Sequence, residues 1–380
     1  MLPGKQIPAV GITTWDTIAP TTQHTTHPVS SPGTESKEAD MAGPIEPTTF
    51  PDSGDLTRRR FLKTTSGIAT ASALSPFLAE TAAAGEIIRK PASETLVTQF
   101  YKTLTEPQKK LMAFPFNAPL RQAVNNNWHI TKATVGKTFS KDQQAMIRGI
   151  FDGLHSEEYA KKVVAQVEHD NQQANRKGGF DGCSVAVFGQ PGSGPFEFVF
   201  AGRHVTRRCD GNSVKGAAFG GPIFYGHAAA GFNEKPDHPG NIYWYQAKRA
   251  NELFRALDGK QQALALRSDA RPEQRKKTVT LRGRDAALHG VPVAEFSSDQ
   301  KTLARRVMAD VLAPFRKVDV DECMKLIEAQ FDTLHFAYYK NLDIGNDRVW
   351  DVWQIEGPSM VWYFRGSPHV HTWVNIRKPA

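Results

Sequence analysis

Cysteine is scarce in this chain: Cys183, Cys209 and Cys323 are the only three in 380 residues. That number is too small for a disulfide-built scaffold, and the spacing is not that of a zinc ribbon. Two readings stay open, a Cys183–Cys209 bridge between neighbouring strands or three small buried apolar side chains. Cys183 is a poor nucleophile candidate, because nothing in the sequence places a His and an Asn or Asp around it. Also missing is any run approaching the ~18 consecutive apolar residues of a membrane span. There is no Gly-x-Ser-x-Gly elbow, Walker loop or dinucleotide fingerprint, which removes the common hydrolase, NTPase and dehydrogenase signatures. No RNP, helix-turn-helix or finger spacing is present, so no nucleic-acid partner is expected. No internal repeat of fixed period is visible.

What is present begins with an N-terminal region unlike the rest. Residues 1–56 are rich in Pro, Thr, Ser and Gly and lack hydrophobic periodicity, which predicts a disordered extension, with Met41 as an alternative start. Then comes Thr57-Arg-Arg-Arg-Phe-Leu-Lys63, a short weakly apolar run and Thr81-Ala-Ala-Ala84. The block resembles a twin-arginine export signal over 57–84, with Arg58 and Arg59 as the pair and cleavage expected after Ala84. It implies passage through the twin-arginine export machinery and a periplasmic or secreted protein without stable membrane insertion. Residues 85–380 carry 41 Lys and Arg against 31 Asp and Glu. That balance favours an anionic partner, either a small molecule or a cell-surface polymer.

The remaining pattern alternates in blocks. Helical spacing runs from Ser93 to about Asp170, with Thr105 and Ser140 as caps and Pro107 in a first turn. Strand-like alternation follows in Val185, Val187, Phe196, Phe198 and Phe200, around the turn Gly189–Gly194. Helical signals return over 246–268 and 297–331, and strands close the chain from Leu334 to Ile376. This order predicts one α+β domain over 85–380, an antiparallel sheet packed with several helices.

Several short motifs fall in a fixed order. They are Phe114-Pro-Phe116 with Asn127-Trp-His129, Gln143 to Leu154 with Ser156 and Tyr159, and Phe200-x-Gly202-x-His204. Leu334-His-Phe-Ala337, Ile355-Glu-Gly-Pro358 and His369-x-His371 follow. Together they resemble the uncharacterised bacterial family catalogued as domain of unknown function 3500, over roughly 91–376. Its members are often exported, which agrees with the signal. Members often carry His-His where this chain has Arg203-His204. The resemblance supplies kinship and no activity.

The chemical lead is His369-x-His371. On a strand, alternate residues share a face, so these imidazoles stand with Trp373 and Asn375, about 6–7 Å apart at Cα, close enough to hold one metal ion. His204, at the end of the Phe196–Phe198–Phe200 stripe, is the third candidate ligand, and His335 is a further one. Glu356 is the candidate ligand or general base, and Arg365 the candidate anchor for an anionic group, as is Arg203; each is close in sequence to candidate ligands. Trp353, Trp362, Tyr363 and Trp373 read either as core or as a sugar-stacking platform. Three functions are consistent with this set. One is an exported hydrolase or oxidase using a single Zn or Cu ion; the others are a non-catalytic binding protein for an anionic polymer, peptide or sugar, and a metal carrier.

Overall fold

The computed structural model describes residues 92–172, 178–228, 240–343 and 346–379. The expected N-terminal extension, export signal and cleavage point lie outside the described residues.

Among the described residues, eleven strands form one sheet. The first half contributes β1 (Ala113–Phe114), β2 (Ser184–Gly189), β3 (Phe196–Gly202), β4 (Val205–Cys209) and β5 (Ile223–His227). The second half contributes β6 (Leu266–Arg267), β7 (Val291–Pro292), β8 (His335–Tyr339), β9 (Val352–Gly357), β10 (Met360–Arg365) and β11 (Val370–Ile376). Across the sheet the order is β1-β2-β3-β4-β5-β11-β10-β9-β8-β6, with β7 on β8. Only the short β1–β2 and β6–β8 pairings are parallel. The α+β architecture is therefore as the alternating blocks predict.

The structure adds a repeat that residue spacing does not reveal. In the first half, α1 (Ser93–Thr103) and α2 (Glu106–Met112) lead into β1. Then come α3 (Val135–Thr138), α4 (Lys141–Asp152), α5 (Glu157–Gln172) and the meander β2–β5. In the second, α6 (Tyr245–Ala256) and α7 (Gly259–Ala265) lead into β6, and α8 (Ser298–Val311) and α9 (Lys317–Glu328) precede the meander β8–β11. Four of these helices open on a capping box with Gln at the third position: Thr105/Gln108, Ser140/Gln143, Asp258/Gln261 and Ser297/Gln300. Each box satisfies two backbone N–H groups that a helix start leaves without a partner. The glutamines then pair within each half, Gln108 with Gln143 at 2.9 Å and Gln300 with Gln261 at 2.7 Å. Val135 N donates to Cys183 O in one half as Val293 N does to Leu334 O in the other. The halves meet where β5 pairs with β11, from Val370↔His227 to Val374↔Ile223.

Strand alternation gives the sheet two faces. Phe198, Phe200, Val205, Tyr225, Trp353 and Trp362 point to the helices and form the main core. The opposite face is also apolar, with Phe224, Tyr363 and Trp373 in one cluster and Ala186, Val199 and Ala201 in another. Two irregular segments cover it. The connector after β1 packs Phe116, Leu120 and Trp128 there, with Trp128 Nε1 donating to Thr206 Oγ1 at 3.0 Å. The basic strap after β6 lays Val279 and Leu281 over the other half. Trp353, Trp362, Tyr363 and Trp373 are each 1% exposed, so they are core and not a sugar-stacking platform. Cys183, Cys209 and Cys323 are buried and not disulfide-bonded, so the Cys183–Cys209 bridge does not form. No helix among the described residues is long and apolar enough to cross a membrane.

Candidate metal centre

β3 and β4 are joined by a tight turn, since Gly202 pairs with Val205 and only Arg203 and His204 lie between. His204 adopts φ +58°, the left-handed region that a second turn residue often requires and that favours Gly or Asn. This turn corrects the expectation that His204 continues the Phe196–Phe198–Phe200 stripe. Reversal at the turn puts His204 in step with Thr206, on the covered face opposite those phenylalanines. Its backbone is held on both sides, with its N–H donating to Asn126 O at 2.8 Å and its carbonyl accepting from Gly226 N at 3.1 Å.

β11, with His369 just before its first residue, brings the other two imidazoles to the same face. His371 stands opposite Gly226 on β5 and Arg365 on β10. Gly226 is required by close approach: a Cβ there would lie 2.3 Å from Val370 O and 3.2 Å from His371 Cδ2. The result is a triangle of ring nitrogens. His369 Nε2 is 3.1 Å from His204 Nε2 and 2.9 Å from His371 Nε2, and the last two are 3.1 Å apart. All three residues are 3–4% exposed.

The outer nitrogens identify the tautomers. His204 Nδ1 lies 2.9 Å from Asp170 Oδ2. Burial by itself would raise the Asp170 carboxyl, but His204 and then His227 hold it well below the usual carboxylate range. An ionised carboxylate only accepts, so Nδ1 of His204 carries the hydrogen. His371 Nδ1 lies 2.8 Å from Glu273 Oε2 and 2.7 Å from the Arg365 guanidinium. One nitrogen cannot donate to the first and accept from the second at once. Arg365 also pairs with Glu273 Oε1 at 3.2 Å, which favours an ionised Glu273 accepting from His371, although burial raises this carboxyl against that pull. Burial, opposed by Asp170 at His204 and reinforced by Arg365 at His371, holds both imidazoles below their ordinary range and hence neutral. Burial does the same to His369, helped by its two neighbours.

With both Nδ1 atoms protonated, the Nε2 atoms of His204 and His371 are bare lone pairs facing each other at 3.1 Å. A single N–H on His369 cannot point well at both. A cation satisfies all three lone pairs. His204, His369 and His371 would hold such an ion through their Nε2 atoms, a three-imidazole donor set of the kind found in catalytic zinc sites. Imidazoles whose far nitrogens donate to carboxylates are the usual support of such a ligand set.

A model of the family described as "Protein of unknown function (DUF3500)" matches residues 90–379. The chain belongs to that family. No curated protein and no solved structure matches it. The match spans every residue of the cluster in this DUF3500 protein, from Asp170 to His371.

Other candidates fall elsewhere. Glu356 lies four registers along and two strands across from His371, roughly 13 Å by 10 Å on the sheet. It accepts from Gln354 Nε2 at 2.7 Å, pairs with Arg282 at 3.7 Å and stands opposite His335 on β8. Neither Glu356 nor His335 reaches the triangle. Arg365 is at the site, but its guanidinium braces Glu273 and His371. Arg203 is clamped by Asn171, with its guanidinium on the Asp170 carbonyl at 3.2 Å. Sequence reasoning missed the two carboxylates of this DUF3500 centre. Asp170 ends a helix within a polar stretch, and Glu273 hides in a basic, mostly exposed strap; neither position has a periodicity to betray it.

Proposed function

We propose that His204, His369 and His371 hold one transition-metal ion, zinc or copper, and that the protein is an exported metal-dependent enzyme of hydrolytic or oxidative type. The observation that carries this is the inward-facing triangle of Nε2 atoms, two of them left as lone pairs by their carboxylate partners. Unfilled, such a buried acceptor costs about 1–3 kcal/mol. Three neutral imidazoles suit zinc or copper more than magnesium or calcium, and three protein ligands with one position left over are the catalytic pattern. A bound ion of this kind polarises a substrate oxygen or lowers the pKa of water, and copper adds one-electron chemistry.

The chain's own residues orient and shield. Asp170 and Glu273 fix the ring planes and keep Nε2 free of protons. Arg365 keeps Glu273 charged, so its role in this reading is positioning rather than substrate capture. Glu356 has no part in it. The cover of connector and strap excludes bulk water, so the substrate is small or enters when the cover opens. Arg275, Lys276 and Lys277 are exposed on the strap, which keeps an anionic partner in view as a second reading.

Metal analysis of protein purified without a histidine tag tests this. We expect the wild type to carry about one Zn or Cu per chain more than a His369→Ala/His371→Ala variant that keeps its circular dichroism. Less than about 0.2 metal per chain, unchanged in the variant, removes both enzyme and carrier. Stoichiometric metal with no turnover on ester, phosphate and phenol panels leaves the carrier.

A further inference from the structure

A second group of ligand atoms lies just across the sheet from the triangle. His169 and Asp170 sit in the last turn of α5, and His227 ends β5 in step with Tyr225, on the helix side. One ligand atom from each lies within 4.8 Å of the others. His169 Nδ1 is 3.3 Å from Asp170 Oδ1, and His227 Nδ1 is 3.3 Å from Asp170 Oδ2. We propose that His169, Asp170 and His227 form a second cation position, for a zinc-like divalent transition metal, on ligands separate from the three imidazoles of the inner site.

The spacing supports it. His169 Nδ1 faces one oxygen of Asp170 and His227 Nδ1 the other, each at 3.3 Å, close to the ~3.3–3.4 Å between neighbouring ligand atoms around an ion with ~2.0–2.1 Å bonds. Two imidazoles and a carboxylate select zinc, cobalt or nickel over calcium and magnesium. The C-terminal end of a helix carries partial negative charge, which favours a cation. Access differs sharply from the inner site: the His169 side chain is 37% exposed, while Asp170 and His227 are buried. Without the ion, both imidazoles turn Nδ1 to Asp170; for a cation to take Nδ1, the hydrogen of each neutral ring would sit on Nε2.

Asp170 makes the two positions communicate. Its Oδ2 also accepts from His204 Nδ1 at 2.9 Å. A cation on this carboxylate withdraws charge from it and weakens its hold on that N–H. His204 then becomes a poorer donor to the inner ion. By linkage the effect is mutual: each ion lowers the affinity of the other by the same factor.

Metal-stripped, tag-free protein titrated with Zn²⁺, and with Co²⁺ for its visible spectrum, tests this. The wild type should take up two equivalents. His169→Ala and His169→Gln should each take up one, and the His369→Ala/His371→Ala variant should also take up one. Because His169 is partly exposed, its variants are expected to fold, which circular dichroism checks. One equivalent in the wild type that His169→Ala leaves untouched overturns the outer position and spares the inner. One equivalent lost in His169→Ala but kept in His369→Ala/His371→Ala overturns the inner and spares the outer. No uptake overturns both.

Discussion

In the first half of the sheet the β3–β4 hairpin turns through Arg203 and His204; in the second, the matching β9–β10 hairpin turns through Pro358 and Ser359. The backbones are used alike. His204 O accepts from Gly226 N, as Ser359 O accepts from Arg377 N at 2.8 Å, while Asn171 accepts the N–H of Arg203 and Gln330 that of Ser359, since Pro358 has none. Carrying the register through both meanders matches His369 and His371 to Ala218 and Gly220. One end of the seam therefore carries three imidazoles, and the mate of that end carries Ser359, Ala218 and Gly220. The repeated parts are those that hold the sheet, and the unrepeated parts are those that could do chemistry. Scaffold and site are thus separable here, as expected when chemistry is grafted onto a frame.

The sharpest way to break this contrast is to exchange the two turn residues. His204→Ser, the residue of the second half, should remove one bound metal per chain, the inner one, by elemental analysis. Ser359→His should leave metal content unchanged. Next in size, Glu273→Gln should weaken metal affinity by about 10–100-fold in a competition titration, as for other supporting carboxylates, whereas Glu356→Gln should change it by less than threefold. A large effect at Glu356 would mean that the site reaches further along β9 than the triangle.

The brace shared by both halves makes the opposite prediction. Gln143 and Gln300 occupy equivalent boxes, so Gln143→Ala and Gln300→Ala should each cost about 1–3 kcal/mol in urea unfolding, and by similar amounts. A marked difference would show that one repeat carries the fold. The smallest effect concerns His155 and Phe315, which face each other between the halves. His155 Nε2 accepts from the buried Arg207 guanidinium at 3.0 Å, and its Nδ1 donates to Phe151 O. Burial first, then Arg207, holds His155 well below its ordinary range. The unfolded chain takes up the proton from about pH 6.5 downward while the folded chain resists. The associated stability is complete above that pH and is lost as pH falls, at up to ~1.4 kcal/mol per unit. Replacing His155 with Gln should therefore narrow its stability gap to the wild type between pH 7.5 and 5.5. A constant gap would contradict a neutral buried His155.

Much of the frame was legible because local rules govern it. The caps at Thr105 and Ser140 and the turn at Gly189–Gly194 are short-range chemistry. The shared face of His369 and His371 follows from strand alternation alone. The face of His204 was misjudged because a tight turn, not a strand, precedes it. The repeat stayed hidden because strand positions diverged within the same pattern, as in Phe180-Asp-Gly-Cys-Ser-Val-Ala against Phe331-Asp-Thr-Leu-His-Phe-Ala. The recurrent glutamine in the capping boxes was its clearest trace. Asp170 and Glu273 depend on contacts across distant segments, which no periodicity encodes.

The seam between β5 and β11 has a mechanical consequence. An ion shared by His204 and His371 ties together residues 167 apart in sequence, one from each repeat. It closes a long chain loop, the case in which a cross-link restricts the unfolded ensemble most. Loading would then act as a clasp, raising the melting temperature with free metal concentration. Chelation would let the halves part along their shared edge before either lost its own meander.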